Sequence, residues 1–231
     1  MTEQTEIKTV LVCYTQATFD NLQPIPGEVE ELSSEAAEDD PEALARQIKI
    51  LAEGLVAALK AAGLTAEEAR IPQRSFAPRD VAKAAFGWRL LDVTESNGVK
   101  IDLAICLDFP AWVVNHPNKV CWLASLPYFI TRRRYGPRPS LTIPGTISTN
   151  VIGPGNGHED QAQTVMSLLQ AERRGLSEAR RILAGSREIA QEMSRSGLQI
   201  EFNPLPPETT EPTAPEWQIT VRRLLSKYGP K

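Results

Sequence analysis

Apolar and polar positions along the chain alternate between two spacings. Thr9 to Tyr14 is a short apolar run, the pattern of a strand buried on both faces of a parallel sheet. From Glu42 to Ala62, the residues Leu44, Ile48, Leu51, Leu55 and Leu59 recur at three- and four-residue steps and share one helical face. Gly63 supplies the expected stop. A polar stretch without clear period follows to Pro78. Val81, Ala85, Trp88 and Leu91 then mark a second helix, expected to end at Asn97-Gly98. Ile101 to Leu107 and Lys119 to Ser125 read as two further buried strands.

Tyr128 to Gly157 carries Pro137, Pro139, Pro144 and Pro154 and reads as loop. Val165, Leu168, Leu169 and Leu176 place a helix from about Glu159. Arg181 to Ala184 is a short strand entering Gly185-Ser186, where Ser186 is positioned to cap a helix reaching Gly197. Ile200-Glu201-Phe202 is one more short strand. Asn203 to Pro215 holds five prolines and reads as a linker. Trp217, Val221, Leu224 and Leu225 form the apolar face of a last helix. Strand and helix alternate without an internal repeat. The expected fold is therefore α/β, a single Rossmann-like domain with a mostly parallel sheet and flanking helices.

Composition narrows the classes. A chain of 231 residues, 42% hydrophobic, can bury a core without disulfides or metals. Its formal charge of -4 argues against nucleic-acid binding, which needs an excess of Lys and Arg. No apolar run reaches the ~20 residues that span a bilayer. The polar start MTEQTEIK differs from a secretory signal, so the expectation is a soluble cytoplasmic chain. Asp20 to Pro41 is dense in Glu and Asp and is expected to be a mobile acidic insertion. Cys13, Cys106 and Cys121 sit in apolar runs without metal-ligand spacing and read as small buried hydrophobes. With only His116 and His158 beside them, no metal and no cofactor is expected.

Ligands of parallel α/β sheets sit at the carboxyl ends of strands, where helix N-termini present amides. That rule nominates Thr15, Gln16, Asp108, Ser125, Tyr128, Ser186 and Arg187 as an acceptor or ligand cleft. Asp108 can serve there as a base or as a loop cap. Gly153 to Gly157 precedes a helix but matches neither GxxxxGK nor GxGxxG, and reads as a connector. Arg132, Arg133, Arg134 and Arg138 form a basic patch suited to a phosphate, an acidic membrane surface or a protein partner. Arg173, Arg174, Arg180 and Arg181 stand among acidic neighbours and read as a salt-bridged surface. None of this specifies a reaction, and no catalytic residue is assigned.

Two stretches add more. Phe86 to Ala124, with Trp88, Asp92, Asn97-Gly98, Ile101-Asp102, Phe109-Pro110 and His116-Pro117-Asn118-Lys119, resembles a segment of bacterial family 4 glycosyltransferases. Ser177 to Pro207 is similar to the part of that family where the first Rossmann-like domain ends and the linker begins. The resemblance covers about 70 residues in the right order and implies half of a GT-B fold, the acceptor-type domain. It implies residues 1–207 as that domain, 208–215 as linker and 216–229 as a helix returning to pack on the domain. The donor-binding domain has no counterpart in this reading. Glu208 and Glu216 have the spacing of the family's paired glutamates but lie in the linker and carry no such role. Where the family reads His-Gln-His-Arg after the third strand, this chain has Ser125, Leu126, Pro127 and Tyr128.

The expectation is a glycosyltransferase-like protein, inactive alone, serving as an accessory or regulatory subunit in glycan or surface-polysaccharide synthesis. Its partner would be a glycosyltransferase or a donor-domain chain. The alternatives are the acceptor-binding half of a split glycosyltransferase, and a small-ligand or nucleotide-binding module.

Overall fold

The computed structural model describes residues 7–17, 41–127, 157–207 and 211–226. The acidic stretch at 20–41, apart from its last residue, and the basic patch at 132–138 lie outside them. Eight strands and five α-helices are described: β1 (Thr9–Ala17), α1 (Pro41–Ala61), β2 (Thr65–Gln73), α2 (Pro78–Leu90), β3 (Glu95–Ser96), β4 (Val99–Lys100), β5 (Leu103–Cys106), β6 (Lys119–Leu123), α3 (Gly157–Ser177), β7 (Arg181–Ala184), α4 (Arg187–Arg195), β8 (Glu201–Phe202) and α5 (Pro215–Leu225). Six strands form one sheet in the order β2-β1-β5-β6-β7-β8, and every pairing in it is parallel. The α/β fold with a parallel sheet and flanking helices is as the alternation implies.

Side-chain period builds the two cores. Leu11 and Cys13 face one side of the sheet while Val10, Val12 and Tyr14 face the other. The first side packs against Val81, Ala85 and Trp88 of α2, Leu168 and Leu176 of α3, and Ile189 and Met193 of α4. The second packs against the leucines of α1 and against Trp217, Val221 and Leu224 of α5. Gly63, at φ +87°, ends α1: its amide donates to Lys60 O at 2.9 Å, and Leu64 N–H donates to Leu59 O at 3.1 Å. That pair of bonds satisfies carbonyls the last turn would leave open, in the one backbone region where glycine is favoured.

Three features differ from the reading above. The polar stretch before Pro78 contains strand β2. It lies at the sheet edge, so its charged residues and Pro72 need no second partner strand, and its apolar content stays low. The second helix stops at Leu90, and Asn97-Gly98 instead turns a small β3–β4 hairpin, with φ of 51° and 78°. Arg181 is no surface residue: it opens β7 and is 8% exposed.

α5 is clasped to the body at two places. Arg181 Nη1 donates to Leu224 O at 2.7 Å and Nη2 to Arg223 O at 3.3 Å, closing the carbonyls of the last turn of α5. Its other donors reach Glu201 of β8, at 2.9 and 3.2 Å. At the opposite end of α5, Trp217 is buried against Gly54 of α1.

Candidate functional site at the carboxyl edge of the sheet

Asp102, His116, Asn118 and Lys119 lie at the amino edge of the sheet, and they hold strands together. Asp102 accepts the amides of Lys8 and Thr9 at 3.0 and 3.1 Å, tying the start of β1 to β5. Burial opposes the Asp102 charge, but these amides and the Thr9 hydroxyl outweigh it and hold the carboxyl below its usual range. His116 is buried, with Nε2 donating to Ile101 O at 3.1 Å and Nδ1 accepting from Asn118 N–H at 3.0 Å. Those two partners require the neutral Nε2–H tautomer. Asn118 donates to Asp102 O and accepts from Arg180. Lys119, 1% exposed, donates to Trp112 O at 2.8 Å and Val114 O at 3.0 Å, so its ammonium closes the short turn at Ala111–Val113. These side chains build the scaffold.

The strand order reverses between β1 and β5, since β2 lies on one side of β1 and every later strand of the sheet on the other. At such a point the connections leave in opposite directions and open a crevice above the carboxyl ends. Thr15 and Asp108 meet there. Asp108 Oδ1 accepts the Thr15 amide at 3.0 Å, while Leu107 N–H extends the β5 pairing by donating to Cys13 O. Thr15 Oγ1 accepts from Trp88 Nε1 at 3.2 Å, so α2 fixes the same residue from below. Asp108 O also accepts Trp112 N–H at 3.1 Å, which starts the turn at Ala111. Thr15 is buried, whereas Gln16 and Asp108 are half-buried. The site is a half-buried carboxylate that accepts a strand amide at Oδ1. It suits accepting a hydrogen bond from a hydroxyl or an amine.

Ser125 and Ser186 each follow the paired residues Leu123 and Ala184 by two positions, at the same edge two and three strands away from β1. Both are half-buried. The Ser186 hydroxyl is committed to structure, accepting Ile189 N–H at 3.2 Å as the cap of α4. Arg187, the first residue of α4, is exposed. The edge over β7 is also partly covered. Leu205 N–H donates to Gly185 O, and a Cβ at Gly185 would stand 2.6 Å from Leu205 Cγ. Tyr128, Arg132, Arg133, Arg134 and Arg138 lie outside the described residues.

Sequence reasoning missed Gln73, which ends β2 beside β1 and is 4% exposed. Recognising the edge strand would have placed it. It also missed a four-residue charge cluster behind α2 and α3. Glu178 accepts from Arg89 at 2.6 and 3.1 Å and from Arg174 at 2.8 Å, with Lys119 Nζ at 3.6 Å. Burial alone would raise this carboxyl; the arginine hydrogen bonds and the Lys119 charge overcome it and hold it at about 2.

The three cysteines form a row, Cys13 opposite Cys106 and Cys106 opposite Cys121, all fully buried. Burial pushes the Cys106 and Cys121 thiols up, which suppresses the nucleophilic thiolate. Among the described residues, no group of three or more His, Cys, Asp or Glu side chains is arranged to hold a metal ion, and no helix is long and apolar enough to cross a membrane. Comparison of the chain with family models, with curated proteins and with solved structures finds no match.

Proposed function

We propose that this chain is a glycosyltransferase-like domain of the acceptor-side type, working as an accessory or regulatory subunit beside a transferase in glycan or surface-polysaccharide synthesis. One observation carries the reading beyond a generic Rossmann-like fold. After a proline-rich stretch, α5 returns and is clasped to the domain, by Arg181 at its last turn and by the Gly54–Trp217 contact at its first. A returning helix of this kind is what the resemblance of Phe86–Ala124 and Ser177–Pro207 implies. Asp102, His116, Asn118 and Lys119 at the amino edge support the same scaffold. The histidines of the resembling family are replaced by Ser125 to Tyr128, which favours a supporting role over chemistry at that edge. The test is purification of the chain with its companions from native cells, then reconstitution. A nucleotide-sugar-dependent transferase is expected to co-purify, and adding back this chain should change its rate or acceptor affinity. Recovery of no transferase overturns the reading.

A second reading is favoured by the Thr15–Asp108 contact. A half-exposed carboxylate at the switch point can orient an acceptor hydroxyl, which makes this chain the acceptor half of a split enzyme. Asp108→Asn separates the two. In a split enzyme it lowers the rate of the reconstituted pair; in an accessory subunit it leaves that rate unchanged.

A further inference from the structure

A groove of about 750 Å³ lies away from the carboxyl edge, between α2 and α3. Its floor is apolar: Ala82, Ala85 and Phe86 from α2, Val113 from the turn, Leu168 and Ala171 from α3. Phe86 is 66% exposed, and Leu90, one turn further along α2, is 68% exposed. Large apolar side chains with that exposure are costly on a surface unless something covers them. One end of the groove is basic. Arg89 and Arg174 line it, and behind them Lys119 shares the single carboxylate of Glu178. Among the described residues, this cluster sets three cations against the one carboxylate of Glu178.

We propose that this groove docks an acidic amphipathic helix of a partner protein. The inference rests on the accessory-subunit reading and names the surface it would use. Two helices already side by side offer a third a ridge-and-groove seat, and alanines on the floor let the incoming backbone approach closely. Anchors on the partner spaced i, i+3 or i+4, and i+7 meet Phe86 and the floor. An Asp or Glu on the same helix meets Arg89 and Arg174, the two guanidinium groups that line the groove and share one carboxylate.

The experiment uses the full chain and two synthetic helical peptides with the same leucine face. One carries Glu on its polar face and the other Lys, and binding is read by fluorescence anisotropy. The Glu peptide is expected to bind about tenfold or more tightly than the Lys peptide. Phe86→Glu should weaken the Glu peptide by about tenfold or more, as loss of a central anchor does. Phe86 is exposed, so this variant should keep the wild-type melting curve; Arg174→Glu, also at an exposed side chain, should shift the preference toward the Lys peptide. Equal binding of both peptides, binding of neither, or indifference to both substitutions overturns the proposal. Two other outcomes do so as well: a concentration-dependent dimer that Phe86→Glu dissolves, which assigns the groove to a second copy, or binding to anionic vesicles that Phe86→Glu abolishes. Failure here with a transferase still co-purifying refutes the surface and leaves the function standing.

Discussion

A Cβ placed on Gly54 would stand 2.6 Å from Cζ2 of Trp217, so α5 meets α1 at a point that only glycine permits. The contact shows how a helix separated from the sheet by a proline-rich stretch is nevertheless part of the core. Trp217 is 3% exposed and Leu224 is fully buried, both packed with the residues of α1 and the sheet.

Gly54→Ala sets two effects against each other. Alanine favours the helical backbone by about 1 kcal/mol. Overpacking a buried ring costs about 1–3 kcal/mol. The overlap at 2.6 Å is with a buried indole packed against α1 and the sheet, so overpacking should win. Urea unfolding is expected to show a net loss, and a stabilised variant would contradict the packing of α5.

Arg181→Met tests the second clasp. It leaves Leu224 O and Arg223 O without their donor and separates Glu201 from its cation. Because Glu201 is partly exposed, the expected loss is about 2 kcal/mol, below that of a fully buried pair. Amide exchange across 215–225 should accelerate more than exchange in β5 and β6. Unchanged protection of α5 would sink the claim that Arg181 holds it.

Glu178 makes stability depend on pH in a stated window. Its carboxyl is held at about 2 in the folded chain against an ordinary 4.5. A depressed carboxyl contributes stability above the unfolded value, and that contribution is lost as pH falls from about 4.5 toward 2. Discounted for the solvent contact of the side chain, the contribution is about 1–2 kcal/mol. Glu178→Gln should lower stability at pH 7 and flatten this part of the acid limb. An acid limb identical to that of the wild type would show that the cluster does not form.

The cysteine row is expected to be silent to thiol reagents. Cys13, Cys106 and Cys121 are each fully buried, so a disulfide reagent should modify none of them in the folded chain and all three in denaturant. Reaction of any of the three under native conditions would mean that the centre of the sheet opens.

The sequence made some of this visible, and the reasons are physical. Strands buried on both faces, such as β5 and β6, are unbroken apolar runs and can be read directly. The leucine spacing of α1 and the serine cap of α4 are equally local signals. β2 was hidden because an edge strand is half solvated: Glu67, Glu68 and Arg70 mask its period, leaving Ala66 as its main buried apolar position. The site divides along the same line. Thr15 and Asp108 were nominated, with five other residues, by the rule that ligands sit at the carboxyl ends of parallel strands, which needs only the strands; the strand order that brings these two together is visible only in the fold. The Glu178 cluster joins α2, the start of β6 and the end of α3, and charges brought together by tertiary packing leave no spacing to read.

The most direct measurement of the account is nucleotide-sugar turnover by the purified chain alone, with UDP-linked and GDP-linked hexoses each supplied in excess and released nucleotide quantified. No release above the no-protein control is expected, with a rate appearing or changing only when the co-purifying transferase is present. Steady release of nucleotide by the isolated chain, abolished by Asp108→Asn, would contradict the accessory role and make this domain an enzyme in its own right.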